Sequence, residues 1–121
     1  MTFKEETVRN LPVFMLEGKI MGDCQSQAVC ERMKQLIREG QHHIILDLNG
    51  VRWINSSGIG SIISCLRMIR EQGGDLYLTG VHGRVAQYLS ITRLDTQIEV
   101  FDTWNEVVER LNIRGSLAEL Q

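Results

Sequence analysis

Along this chain the apolar positions alternate singly, then recur every three or four residues, then alternate again, and each change of period marks a new element. In FKEETVRNLPVFMLEGKI, Val13 and Met15 alternate with Phe14 and Leu16, and RNLP supplies a turn, so two short strands are predicted. From Asp23 to Glu39 the apolar residues Val29, Met33, Leu36 and Ile37 fall at i, i+4, i+7 and i+8. That spacing makes one buried helical stripe, with Asp23 as a cap and Gly40 as a stop. HHIILDLNGV then reads as a strand whose near-continuous apolar run implies burial on both faces.

After the turn WINSSGIG, a second helix places Ile59, Ile62, Ile63, Leu66 and Ile69 on one side, and EQGG ends it. DLYLTGV is a strand, and GRVAQYLSITRL a short helix carrying Val85, Leu89 and Leu94 inward. QIEVF is a last strand. DTWNEVVERLNI is a helix that Asp102 or Thr103 can cap, with Trp104, Val107, Val108 and Leu111 as its apolar face.

The predicted order is ββαβαβαβα. Strand–helix–strand alternation requires crossover units and parallel pairing, while the tight turn between the first two strands makes that pair antiparallel. The expected fold is α/β: a single-domain mixed sheet, antiparallel in its first two strands and mostly parallel beyond them, with about four helices. The domain is expected to span residues 1–112, leaving 113–121 as a weakly patterned tail prone to fraying.

Composition narrows the function more than the fold. The chain has 121 residues, 43% hydrophobic and 23% charged, a balance that suits one ordinary globular domain. The net charge of -2 and the scattered Lys and Arg residues argue against nucleic acid as a partner, which needs a basic face. No apolar run approaches the ~18 residues that span a bilayer, and MTFKEETVRN lacks a signal-peptide layout. A cytoplasmic protein with no direct membrane insertion is expected.

Cys24, Cys30 and Cys65 fit neither redox-motif nor zinc spacing and read as three reduced structural thiols. Adjacent His42 and His43 point to opposite strand faces and cannot jointly hold a metal, so neither metal nor cofactor is expected. His82, in GVHGR, reads as a surface loop residue. No nucleophile elbow, phosphate loop or dinucleotide fingerprint is present, so an enzyme is the least favoured class.

Candidate chemistry concentrates in Asn55-Ser56-Ser57-Gly58. Asn and Ser are favoured N-caps, so the turn can be a cap alone. A cap chosen only for stability would not be followed by Gly58 and Gly60, each of which weakens the helix by about 1 kcal/mol relative to alanine. The turn also follows the carboxyl end of a parallel strand, where open α/β sheets place their sites. An exposed serine there can take or present a phosphate, adding nearly two negative charges near a helix N-terminus. On the same helix Ser61, Ser64 and Met68 are expected to project outward, with Cys65 on the flank, as a flat adaptable surface for another protein.

IILDLNGVRWINSSGIGSIISCLRMIREQGGDLYLTGV resembles the centre of the anti-sigma factor antagonist, or STAS, domain family. There an apolar strand ends in D-L-x-x-V, and a D-[ST]-S-G-[LI]-G-like turn, a helix, a G-G and an L-x-L-x-G strand follow. VAQYLSITRLDTQIEVFDTWNEVVERL resembles the closing section and VFMLEGKI an early strand, so the likeness runs from about residue 5 to 112. It implies a regulator whose partner is an anti-sigma factor with serine kinase activity, and which a serine phosphatase resets.

Carried over by position, Ser56 is the phosphorylation site. The partner-binding set is Asp23, Asn55, Ser56, Ser57, Gly58, Ser61, Ser64 and Met68. Two positions depart from the family pattern: Asn55 replaces an acidic residue, and Arg93 replaces a glycine. The neutral Asn55 favours an alternative, a non-phosphorylated STAS scaffold subunit of a signalling or membrane-transport assembly. The oligomeric state is left open.

Overall fold

A computed structural model of the chain describes residues 1–22 and 24–119, the side chains of 24–26 and 113–119 excepted. Asp23, expected both to cap the first helix and to touch a partner, lies outside the described residues. The elements are β1 (Thr2–Val8), β2 (Leu11–Ile20), α1 (Cys24–Arg38), β3 (His43–Ile54), α2 (Ser56–Glu71), β4 (Asp75–Thr79), α3 (Gly83–Ile91), β5 (Glu99–Phe101) and α4 (Trp104–Glu119). A single 3-10 turn at Leu94–Thr96 joins α3 to β5.

One five-stranded sheet runs in the order β1-β2-β3-β4-β5, with β1 antiparallel to β2 and every other pair parallel. The β1–β2 turn is two residues long because Arg9 and Asn10 both take positive φ, the geometry that matches strand twist in a tight hairpin.

Alternation along the strands divides the core between the two faces. Phe14, Leu16, Ile44, Leu46, Leu48, Leu76 and Leu78 pack with the apolar stripes of α1, α2 and α3. Their neighbours Val13, Ile45 and Tyr77 pack on the other face with Val107, Trp104 and Leu111 of α4. The helical stripes are those the spacing predicted: Val29, Met33, Leu36 and Ile37 in α1, and Ile59, Ile62, Leu66 and Ile69 in α2, are buried. Ile63 is only partly so. Asp47 of β3 ties the second layer down, its Oδ2 accepting from Trp104 Nε1 at 2.6 Å.

Three local features differ from these expectations. The predicted helix through Leu94 stops at Ile91, because Arg93 adopts a left-handed backbone (φ 59°) and only then does the 3-10 turn bury Leu94. An arginine thus occupies the conformation that makes glycine the common choice there. The last helix runs through Glu119 rather than stopping near Ile113. Thr103 Oγ1 caps it by accepting from the Glu106 amide at 3.3 Å, and Glu106 accepts from the Asp102 amide at 2.9 Å.

The third difference corrects an expectation. Cys30 and Cys65 form a disulfide, so two of the three cysteines are not free thiols. Their separation of 35 residues hid this: α1 and α2 pack side by side on one face and bring the two Cα atoms to 5.8 Å. Cys65 therefore faces inward, 6% exposed, and not along the flank of a docking surface.

Candidate functional site

The carboxyl ends of β2 and β3 lie in register, Ile20 beside Ile54, and the Asn55 amide donates to the Ile20 carbonyl at 3.3 Å. This fixes where the chain leaves the sheet. Asn55 takes an extended backbone, and its Oδ1 accepts from the Gly58 amide at 2.8 Å. Asn55 is thus the N-cap of α2, satisfying an amide that the helix leaves without a partner. The cap falls on asparagine, so neither serine is needed for it. Ser56 and Ser57 are both exposed at the first two positions of α2.

Gly58 is buried under this turn. A Cβ there would strike the Ile20 carbonyl oxygen and lie 2.9 Å from Ile54 Cγ1. Gly58 is therefore a close approach between helix and sheet. Packing alone is enough to fix its residue type. Gly60 is the opposite, exposed and with nothing within 4 Å of an added Cβ. The loop leaving β2 closes over the turn from the other side, since a Cβ on Gly22 would lie 2.8 Å from that of Ser57.

The remaining expected residues divide. Ser64 is exposed, one helical turn beyond Gly60. Ser61 is half-buried, and its hydroxyl donates back to the Ser57 carbonyl at 3.1 Å. Met68, expected to be an exposed contact, is half-buried and packs against the main core. It sits close to the inward stripe of Leu66 and Ile69, too near for a separate outer surface.

A neighbouring surface was missed. Trp53 and Ile91 are 43% and 78% exposed, and with Ile54, Arg84, Gln87 and Tyr88 they line a groove of about 190 Å³. Arg84, Gln87, Tyr88 and Ile91 recur at i, i+3, i+4 and i+7 on α3, opposite its inward residues Val85 and Leu89. An isoleucine on the wrong side of that helix was the available signal. The Tyr88 hydroxyl reaches Ser56 Oγ at 3.2 Å, which joins this groove to the turn.

A larger concavity, about 770 Å³, lies at the far end of α2. Its Arg70 is bonded to Asp75 at 3.2 Å and to the Gln97 carbonyl at 2.7 Å, so its charge is already partnered. Among the described residues no three His, Cys, Asp or Glu side chains are placed to hold a metal ion. His82 Nε2 is 2.9 Å from the Asn49 carbonyl oxygen, and His43 Nδ1 is 3.1 Å from the Tyr77 hydroxyl. Among the described residues no helix is long and apolar enough to cross a membrane.

A mixed sheet of this order, with a serine-bearing turn opening the second helix, has the architecture of a STAS domain. The STAS domain family model matches residues 4–107, and the chain belongs to that family. A Thermotoga neapolitana protein named provisionally as an anti-sigma factor antagonist is 32% identical over 80 residues, 66% of this chain and 71% of that protein. The anti-sigma F factor antagonist of Paenibacillus polymyxa is 30% identical over 83 residues, 68% of this chain and 69% of its own. The fold is shared with SpoIIAA in two states. The unphosphorylated form gives a TM-score of 0.70 at 19% identity, covering 92% of this chain and 98% of that one. The phosphorylated Bacillus form gives 0.68 at 19% identity, covering 91% and 99%.

Proposed function

We propose that this chain is an anti-sigma factor antagonist that controls sigma-factor-dependent transcription. It binds an anti-sigma factor that is also a serine kinase, and phosphorylation of Ser56 ends the interaction until a serine phosphatase restores it. The observation that carries this reading is the division of labour in the turn. Asn55 does the capping, and Ser56 is left as an exposed residue at the start of α2, its hydroxyl bonded only to that of Tyr88 among the described residues.

The physical basis is charge. A phosphate brings nearly two negative charges, and burying them in a protein interface costs several kcal/mol unless cations of the partner pair with them. On the free protein the same group is tolerated, because α2 has no acidic residue in its first turn to repel it and its positive dipole end favours an anion. One modification can therefore release a partner without unfolding the domain. The relatives named as antagonists support the partner, and the two solved states of SpoIIAA support a fold that accommodates either form.

One observation favours a second reading. The neutral Asn55 stands where the family carries an acid, and its side chain is already engaged by the Gly58 amide. A scaffold role needs only docking at this turn and no phosphate.

Incubation with the anti-sigma kinase and ATP, followed by mass spectrometry, tests the switch. Ser56 is expected to gain one phosphate, and Ser56→Asp to weaken binding to the anti-sigma factor at least tenfold. An unmodified Ser56, together with unchanged binding by Ser56→Asp, would leave only the scaffold reading.

A further inference from the structure

Ser56 Oγ and the Tyr88 hydroxyl, 32 residues apart in sequence, lie 3.2 Å from each other across the α2–α3 boundary. Tyr88 is well placed to be a fixed partner. It is half-buried with its ring against the main core, and its carbonyl accepts from Thr92 Oγ1 at 2.9 Å at the end of α3. A serine on an exposed first turn samples several staggered rotamers, and a hydrogen bond to an anchored hydroxyl selects among them.

We propose that Tyr88 is the positioning residue of the switch: it holds the Ser56 hydroxyl against α3 before phosphorylation and holds the phosphate afterwards. This rests on the reading of Ser56 as a phosphoacceptor.

Before modification, either hydroxyl can donate. A serine oxygen has two lone pairs, so in both cases one stays free to attack phosphorus. In the transfer the Oγ–P bond forms as the bond from the γ-phosphorus of ATP to the ADP oxygen breaks. The hydroxyl proton leaves to a base on the kinase.

Afterwards the dianionic phosphate has only acceptor oxygens, so toward it the phenol must donate, and a bond to a charged acceptor is shorter and stronger than the neutral one it replaces. Arg84, one turn earlier on the same side of α3, supplies a cation in the adjoining groove. Phosphorylation thus tightens the link between Ser56 and α3 and places negative charge beside Trp53 and Ile91.

The test uses the full chain with either serine or genetically encoded phosphoserine at position 56, each with and without Tyr88→Phe. Phenylalanine keeps the ring in its place and removes only the hydroxyl. In the serine forms the Ser56 Hα–Hβ couplings are expected to show one dominant rotamer, and to average when the phenol is lost. In the phosphoserine forms the second ionisation, about 6 for a free phosphoserine, is followed by phosphorus NMR. It is expected to lie about half a unit higher in Tyr88→Phe, because a donor that favours the dianion is gone.

Identical phosphate titrations with and without the phenol would overturn the proposal whatever the couplings show. Kinase treatment is scored separately. A wild-type chain left unmodified at Ser56 defeats the switch itself, whereas equal titrations defeat only the role of Tyr88.

Discussion

Gly58 and Gly60 stand two positions apart in the first turns of α2, and opposite circumstances keep them there. On the inner side, a Cβ at Gly58 would collide with the Ile20 carbonyl and crowd Ile54. On the outer side, a Cβ at Gly60 would meet nothing. The same contrast runs along the helix. Cys65, Leu66 and Ile69 are locked into the core, while Ser56, Ser57 and Ser64 are open. One side of α2 holds the fold and the other is free to be read, so a change on the first should register as stability and on the second as binding.

The largest expected effect on the inner side is loss of the Cys30–Cys65 bond between α1 and α2. Closing a loop of about 35 residues in the unfolded chain is worth roughly 4 kcal/mol in the chain-entropy account. Urea unfolding with and without a thiol reductant measures it. A midpoint that does not move on reduction would show that helix packing alone holds α1 and α2 together.

Gly58→Ala comes next. The opposing atom is a backbone carbonyl of a paired strand and cannot swing aside, so a cost of about 2–3 kcal/mol is expected from overpacking. The variant should melt earlier and bind its partner more weakly, the second only in proportion to the first. A Gly58→Ala protein of unchanged stability but lost binding would make this glycine part of the docking surface itself.

Much of this division was legible in the sequence, and the failures share a cause. Periodicity assigned Ile59, Ile62, Leu66 and Ile69 to the inner side of α2 because helical spacing is a local property, and the strand pairing followed from crossover rules. The turn NSSG was recognisable from residue chemistry and family likeness. What stayed hidden depends on distant segments meeting. Gly58 answers to Ile20, Cys65 to Cys30, and Ser56 to Tyr88, and no spacing within α2 reports those neighbours. Met68 was misplaced for a simpler reason, since it lies near the edge of the buried stripe and a flexible side chain there folds down onto the core.

Asn55 sits at the boundary between the two sides and sharpens the comparison. Asn55→Ala removes the bond to the Gly58 amide and should cost about 1 kcal/mol. Asn55→Asp keeps an acceptor oxygen and adds a charge that the helix dipole favours, by about 0.3–1 kcal/mol. It also restores the acidic residue of the family pattern. Urea unfolding gives the stability order Asp, Asn, Ala. Kinase assays on the same proteins then show whether phosphorylation of Ser56 follows the charge or only the cap: a faster reaction for Asn55→Asp and an unchanged one for Asn55→Ala would assign the effect to charge.

Gly60→Ala has the smallest effect on stability and the clearest sign. The site is exposed and empty, so alanine should raise helix propensity and stabilise the protein by about 0.5–1 kcal/mol. If the outer side of α2 is where the anti-sigma factor lies close, the added methyl should weaken binding while the urea midpoint rises. Stability and binding moving in opposite directions cannot come from damage to the fold, which lowers both. Binding that holds steady as stability rises would instead move the contact away from Gly60, toward Ser56 and the groove between Trp53 and α3.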